Sequence, residues 1–113
     1  MVQQKLLGFV GASLLLLALT GSLAVAEPEE AGRAVIEGYG CDGCHRIGGA
    51  GGDLGPALDS VLTRRTESWV KEKIRNPRAS NRASLMPPFA MSESETQALL
   101  DYLSALNGQG ARE

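Results

Sequence analysis

The chain has 113 residues, and its 11 Lys and Arg against 13 Asp and Glu give a formal net charge of −2. This length allows one domain, and the near-balanced charge argues against a general nucleic-acid-binding protein, which is normally strongly basic. One His and two Cys are too few for a closed zinc site made of four nitrogen and sulfur ligands. Two Cys also cannot build a multi-disulfide scaffold.

The first 26 residues have the pattern of a secretory signal peptide. Lys5 precedes an uncharged apolar run over 6–19, and small residues lead to an A-x-A cleavage site at 24–26. We expect cleavage there and export to the periplasm, which leaves 87 residues with a formal net charge of −3 because only Lys5 is lost among charged residues. The alternative is an uncleaved inner-membrane anchor facing the periplasm, since residues 6–26 are long enough to span a bilayer.

Two helices are predicted in the first part of the remaining chain. Residues 27–30 are expected to form an acidic tether. Apolar residues recur at helical spacing over 31–39, and glycines end that helix. Residues 66–75 place Trp69, with other apolar residues, on one side of a second helix, which ends before Pro77.

The last predicted helix begins at Ser92. Ser92 and Glu95 have the spacing of a capping box. The apolar stripe of this helix consists of Ala98, Leu99, Tyr102, Leu103 and Leu106. The helix is expected to end at 107–108, with 108–113 frayed. The glycine-rich stretch 48–55 and the residues 77–91 are expected to be irregular. No segment alternates with period two, so no strand is expected and the predicted fold is all-α.

Residues 41–45 are Cys-Asp-Gly-Cys-His, the C-x-x-C-H sequence to which c-type haem is attached. Two residues between Cys41 and Cys44 let both sulfurs reach one edge of the porphyrin, and His45 then falls under the iron as an axial ligand. We expect one covalently attached haem c, which would staple a thin core. We also expect the backbone of the loop over 48–55 to pass close to this haem.

Other uses of a C-x-x-C sequence are weaker. A thioredoxin-like site would need a βαβ context, and the chain has no predicted strand. A zinc site would need further Cys or His residues. A disulfide between Cys41 and Cys44 is possible but does not account for His45.

A second axial ligand must be another residue type, because His45 is the only His. Met/His ligation is one of the options for haem iron in proteins. Prolines at 87 and 88 would hold the Met86 thioether in place, whereas Met91, just before Ser92, is expected to be a packing residue. The alternative role for Met86 is a flexible core filler.

The sequence at this point resembles the class I c-type cytochrome family, of the small bacterial monohaem kind. The resemblance covers about 32–106, and the domain is placed at 31–107. Its marks in chain order are C-x-x-C-H at 41–45, Leu54-Gly55-Pro56, the helix with Trp69, Met86-Pro87-Pro88, and the last helix with Tyr102-Leu103. The resemblance implies the cytochrome c fold, in which three to four short helices wrap around one covalent haem.

The resemblance also implies roles for individual residues. Cys41 and Cys44 would bind the haem covalently, and His45 and Met86 would be the axial iron ligands. The carbonyl of Pro56 would accept a hydrogen bond from the other ring nitrogen of His45 and fix its tautomer.

Further implied roles concern the helices. Gly32 would let the first and last helices cross closely, with Ile36, Leu99 and Tyr102 at the crossing. Arg65 and Trp69 would hydrogen-bond a haem propionate. Two alternatives are open there, since Trp69 could be a core residue and Arg64 could replace Arg65.

An iron with both axial positions filled suits electron transfer rather than catalysis, and no catalytic residue is expected. The expected function is a periplasmic carrier of single electrons between partners such as a dehydrogenase, an oxidase or another cytochrome. The main alternative is the cytochrome subunit of a periplasmic oxidoreductase. A sensor with a labile sixth ligand and a haem-free thiol oxidoreductase are the others. We expect no nucleic-acid partner, and membrane association only if the N-terminal segment stays uncleaved.

The charges are unevenly distributed. Residues 64–82 contain seven Lys and Arg but only two Glu. Such a segment can steer a redox partner. It can equally be a solvated helix face that neutralises haem propionates.

Overall fold

The structure, a computed structural model, describes residues 21–24 and 27–110. Most of the predicted signal segment, 1–26, lies outside these residues. None of the helices in the described part is both long and apolar enough to cross a membrane. In chain order the elements are α1 (Pro28–Tyr39), a 3-10 turn (Cys41–Gly43), β1 (Arg46–Ile47), β2 (Ala50–Gly51), α2 (Val61–Arg64), α3 (Glu67–Arg75), α4 (Pro77–Ser80) and α5 (Glu93–Gly110). The predicted all-α fold class is confirmed for the described chain, since it has five α-helices and its two strands have only two residues each.

Helix α1 begins earlier than predicted. It starts at Pro28, so the acidic tether expected over 27–30 is wrong except for Glu27. Proline is well suited to the first helical position because its missing N–H has no partner there anyway. Glu29 and Glu30 then lie in the first turn, where a negative charge interacts favourably with the helix dipole.

A small β-hairpin occupies part of the stretch that was expected to be irregular. β1 and β2 are antiparallel, with Ile47 opposite Ala50. Gly48 and Gly49, at φ of 62° and 79°, form the two-residue turn between them, and positive φ at both positions is what a tight hairpin turn requires. The expectation of no strands is therefore wrong here, because two-residue strands are too short to show alternation.

Two further helices are single turns that sequence patterns did not predict. α2 and α4 have four residues each, too few to produce a helical repeat of apolar residues. Pro77 opens α4, so the residue that ends α3 also begins the next turn. The described chain thus has five α-helices rather than three to four. α5 continues to Gly110, past the end expected at 107–108, and 111–113 lie outside the described residues.

The core is formed mainly where α1 and α5 pack against each other. α5 contributes the two side chains that are almost fully buried, Leu100 and Leu103. α3 adds Val70 and Ile74, the face predicted for it. The buried apolar residues are Val35, Ile36, Ile47, Val61, Val70, Ile74, Leu99, Leu100, Tyr102 and Leu103.

Gly32 is the point of closest approach between α1 and α5. A Cβ at this position would lie 2.7 Å from the carbonyl oxygen of Ala98 and closer still to the Cβ of Tyr102. Ile36, Leu99 and Tyr102 are all buried. The crossing implied by the resemblance is therefore present, and it depends on the missing side chain of Gly32.

We expect Gly32→Ala to lower the free energy of unfolding by about 2–3 kcal/mol, because the helices must move apart to admit one methyl group. Gly38→Ala is the matched control on the same helix, since nothing lies within 4 Å of its Cβ position. That substitution should stabilise the protein slightly, by at most about 1 kcal/mol. Denaturant unfolding of both variants measures the difference, and equal effects would contradict the close crossing.

Candidate functional site

The C-x-x-C-H motif forms a compact turn directly after α1. Gly40, at φ of 72°, ends the helix in the left-handed conformation that favours glycine. The backbone N–H of His45 then donates to the carbonyl oxygen of Cys41 at 3.0 Å. Cys41 is half-buried and Cys44 is exposed. Burial raises the pKa of the Cys41 thiol.

The imidazole of His45 has a defined orientation. Its Nδ1 lies 2.7 Å from the carbonyl oxygen of Pro56. A carbonyl oxygen can only accept, so Nδ1 is the donor, and in the neutral imidazole Nε2 then has the lone pair that can bind a metal. The backbone bond from Gly55 N–H to the Cys44 carbonyl oxygen, at 2.7 Å, holds the Pro56 segment beside the motif.

The glycine-rich loop packs directly onto the C-x-x-C-H turn. A Cβ on Gly51 would lie 3.0 Å from the carbonyl oxygen of Asp42, and one on Gly52 would lie 2.9 Å from the carbonyl carbon of Gly43. The N–H of Gly52 also donates to the Asp42 carbonyl oxygen at 2.9 Å. These glycines permit a close approach to the motif's own backbone, a role that the sequence alone did not indicate.

Gly55 makes the corresponding approach to the imidazole. A Cβ there would lie 2.6 Å from Cε1 of His45. We therefore expect Gly55→Ala to displace the ring, weaken its bond to Pro56 and perturb the absorption spectrum of the haem protein. Gly43→Ala, within the motif but with nothing within 4 Å of its Cβ position, should leave the spectrum unchanged. An unaltered spectrum for the Gly55 variant would contradict this geometry.

Met86 and Met91 are both half-buried, and both pack against the core. Burial alone therefore does not distinguish the two thioethers. The segment between them is attached to α3 through the N–H of Phe89, which donates to the carbonyl oxygen of Ile74 at 2.9 Å. Leu85, immediately before Met86, exposes 79% of its surface.

Arg65, which was predicted to contact a propionate, and Arg64, the alternative to it, have separate surroundings. The guanidinium carbon of Arg65 lies 4.5 Å from the centroid of the Trp69 ring, a cation–π contact. Arg64 instead donates to the carbonyl oxygen of Ala57 at 3.2 Å. Lys73, one of the basic residues of segment 64–82, places its ammonium 6.0 Å from the same indole. Two cationic groups, one four residues before Trp69 and one four residues after it, thus contact its ring.

The residues of this region fit a covalently attached haem. Two thiols lie in one tight turn, and the adjacent imidazole offers Nε2 while Nδ1 is held by a backbone carbonyl. This donor set matches a c-type haem better than zinc, because no group of three or more Cys, His, Asp or Glu in the described chain could hold a metal ion.

Comparison with known proteins agrees with this arrangement. The sequence model of the family described as Cytochrome c matches residues 29–107. The chain belongs to the cytochrome c family. This confirms the predicted family, the all-α cytochrome fold and the covalently bound haem c, and it makes electron transfer the general function of the domain.

One relative of this cytochrome is the cytochrome c oxidase subunit 2 of Alkalihalophilus pseudofirmus. The alignment with this relative is 98 residues long and 35% identical, and it covers 75% of this chain and 29% of the relative. The cytochrome therefore spans less than a third of the length of that protein. No solved structure matches the chain.

Proposed function

We propose that this cytochrome carries single electrons between redox partners in the periplasm, with His45 and Met86 as the axial ligands of its iron. The observation that carries the proposal is the 2.7 Å contact between His45 Nδ1 and the Pro56 carbonyl oxygen, next to the C-x-x-C-H turn. It leaves Nε2 free to bind iron and fixes the direction of the ring.

Cys41 and Cys44 are the proposed thioether positions. Their turn is held in shape by hydrogen bonds from Cys44 and His45 N–H to the Cys41 carbonyl oxygen, at 3.3 and 3.0 Å. A haem c bound there supplies one-electron oxidation and reduction at its iron. With the Met86 thioether and the His45 imidazole both bound to it, the iron would have no open position for a substrate.

Arg65 and Trp69 are proposed to contact a haem propionate. The support is the 4.5 Å distance between the Arg65 guanidinium carbon and the Trp69 ring centroid. This contact places a positive charge beside an indole that has an N–H donor, near the start of α3. Arg64 is the weaker candidate because its guanidinium donates to the Ala57 carbonyl oxygen. Lys73 adds a second positive charge near the indole.

Periplasmic location is proposed from the signal-peptide pattern of residues 1–26. N-terminal sequencing of the protein from a periplasmic fraction should begin at Glu27. A product that stays with the membrane and begins at Met1 would favour the anchored form instead.

A second candidate function is the cytochrome component of an oxidase. It is favoured by the similarity to cytochrome c oxidase subunit 2 over 98 residues. In that case the same site would pass electrons to a catalytic chain to which the cytochrome is permanently docked. Purification from native cells distinguishes the two, because co-elution with an oxidase or dehydrogenase at a fixed ratio would exclude a free carrier.

A redox titration tests the carrier function itself. We expect one reversible transition with a one-electron slope. In a separate binding assay, we expect the reduced protein not to bind carbon monoxide at neutral pH. Ready binding of carbon monoxide would indicate a labile sixth ligand and favour a sensor. Absence of covalent haem after expression with a maturation system would favour a thiol oxidoreductase.

A further inference from the structure

Tyr39 links the end of α1 to the beginning of α5. It is half-buried and stands two residues before Cys41. Its hydroxyl donates to a carboxylate oxygen of Glu95 at 3.0 Å. Its ring meets the ring of Phe89 edge to face, with centroids 5.7 Å apart and an interplanar angle of 81°, a favourable aromatic arrangement.

Both partners of Tyr39 belong to the region that follows Met86. Phe89 is three residues beyond Met86, and Glu95 is the second residue of the capping box that begins at Ser92. The Ser92 N–H donates to a Glu95 carboxylate oxygen at 2.8 Å, and the Glu95 N–H donates to the Ser92 hydroxyl at 3.2 Å. The capping box predicted from sequence is thus confirmed, and Tyr39 adds a third bond to it from another helix.

Helix α3 also contacts the residues that follow Met86. Phe89 is bonded to the Ile74 carbonyl oxygen, and Glu93 accepts from Lys71 at 2.8 Å and from Arg75 at 3.4 Å. Tyr39, in contrast, lies at the end of the helix that leads into the C-x-x-C-H turn. Its two contacts therefore connect the region after Met86 to the motif that binds the haem.

We propose that Tyr39 is a positioning residue that fastens the segment 86–92 to the C-x-x-C-H end of α1 and so keeps the Met86 thioether in place. The inference rests on the proposed role of Met86 as an axial ligand. Phe89 and Glu95 are the two points through which Tyr39 acts, one by ring contact and one by hydrogen bond.

The protonation states suit this bond at neutral pH. The Glu95 carboxylate and partial burial raise the pKa of the Tyr39 hydroxyl, so it remains a donor. The Ser92 N–H, followed by the Tyr39 hydroxyl, holds the pKa of Glu95 below its usual value, so the carboxylate remains an acceptor. A hydrogen bond to an ionised acceptor is stronger than a neutral one.

The test is imidazole binding to the oxidised holoprotein, because imidazole can occupy the axial position only when the Met86 segment moves away. We expect Tyr39→Phe to tighten imidazole binding about tenfold, which corresponds to about 1.4 kcal/mol, since destabilising the closed arrangement raises the apparent affinity by the same factor. Tyr102→Phe is the matched control, because Tyr102 is buried at the crossing of α1 and α5 and should leave the affinity unchanged.

Glu95→Gln provides a second variant with the same expected direction. Unchanged imidazole affinity in both Tyr39→Phe and Glu95→Gln, or an equal rise in Tyr102→Phe, would overturn the inference and leave Tyr39 a packing residue. The proposed function fails separately if the wild-type protein lacks the weak long-wavelength absorption band of iron–thioether ligation. A normal wild-type band together with unchanged imidazole affinities in the variants would contradict only the role of Tyr39.

Discussion

Replacing Met86 with Ala should abolish the weak long-wavelength absorption band that iron–thioether ligation produces. The thioether would be lost and no other His is present to replace it. The reduction potential should also fall, by on the order of 0.1 V within the roughly 0.8 V that axial ligation spans, because Met/His ligation raises the potential. Absorption spectroscopy and a redox titration of the purified variant measure both effects.

Met91→Ala is the matched control for this experiment. Met91 is also half-buried and packed against the core, so its truncation costs similar packing. We expect the band and the potential to persist in that variant. A band that survives in Met86→Ala, or one that disappears in Met91→Ala, would show that the ligand has been assigned to the wrong residue.

Replacing both Cys41 and Cys44 with Ser should leave a largely unfolded chain. Only ten apolar residues are buried in the described structure, and a core of this size rarely supplies more than about 3–5 kcal/mol. Because this core is so small, loss of the covalently attached haem should lower the free energy of unfolding to about zero. Far-ultraviolet circular dichroism during denaturant unfolding measures the loss.

Asp42→Ala is the control within the same motif. Asp42 accepts a hydrogen bond from the Gly52 N–H and approaches Gly51 through its main-chain carbonyl oxygen. The substitution keeps this carbonyl group. We expect that variant to carry haem and to fold. A cooperative unfolding transition in the double Cys variant, comparable with that of the wild type, would refute the idea that haem attachment stabilises the fold.

The parts of the site that sequence could predict are those encoded locally. The C-x-x-C-H turn, the capping box of Ser92 and Glu95, and the stop of α3 before Pro77 each depend on a few neighbouring residues. The approach of Gly32 to α5 came from the family resemblance, and the structure gives its physical reason in the positions of the Ala98 carbonyl and the Tyr102 side chain.

The features that sequence missed are either very short or depend on distant residues. Two-residue strands and single-turn helices leave no periodic signal, which explains the hairpin at 46–51 and the turns α2 and α4. The bond between Tyr39 and Glu95 joins residues 56 positions apart. The burial of Leu100, which lies beside the predicted stripe of α5, likewise depends on which helices pack around it.

The most direct measurement is an absorption spectrum of the purified protein in its oxidised and reduced states, repeated after denaturation. If the chain carries one covalently attached haem with His/Met ligation, the reduced protein should show the sharp bands of c-type haem. The oxidised protein should show the weak long-wavelength band. It also predicts that the haem stays with the polypeptide when the protein is denatured. Haem that separates on denaturation would contradict attachment through Cys41 and Cys44, and absence of the long-wavelength band would contradict ligation by Met86.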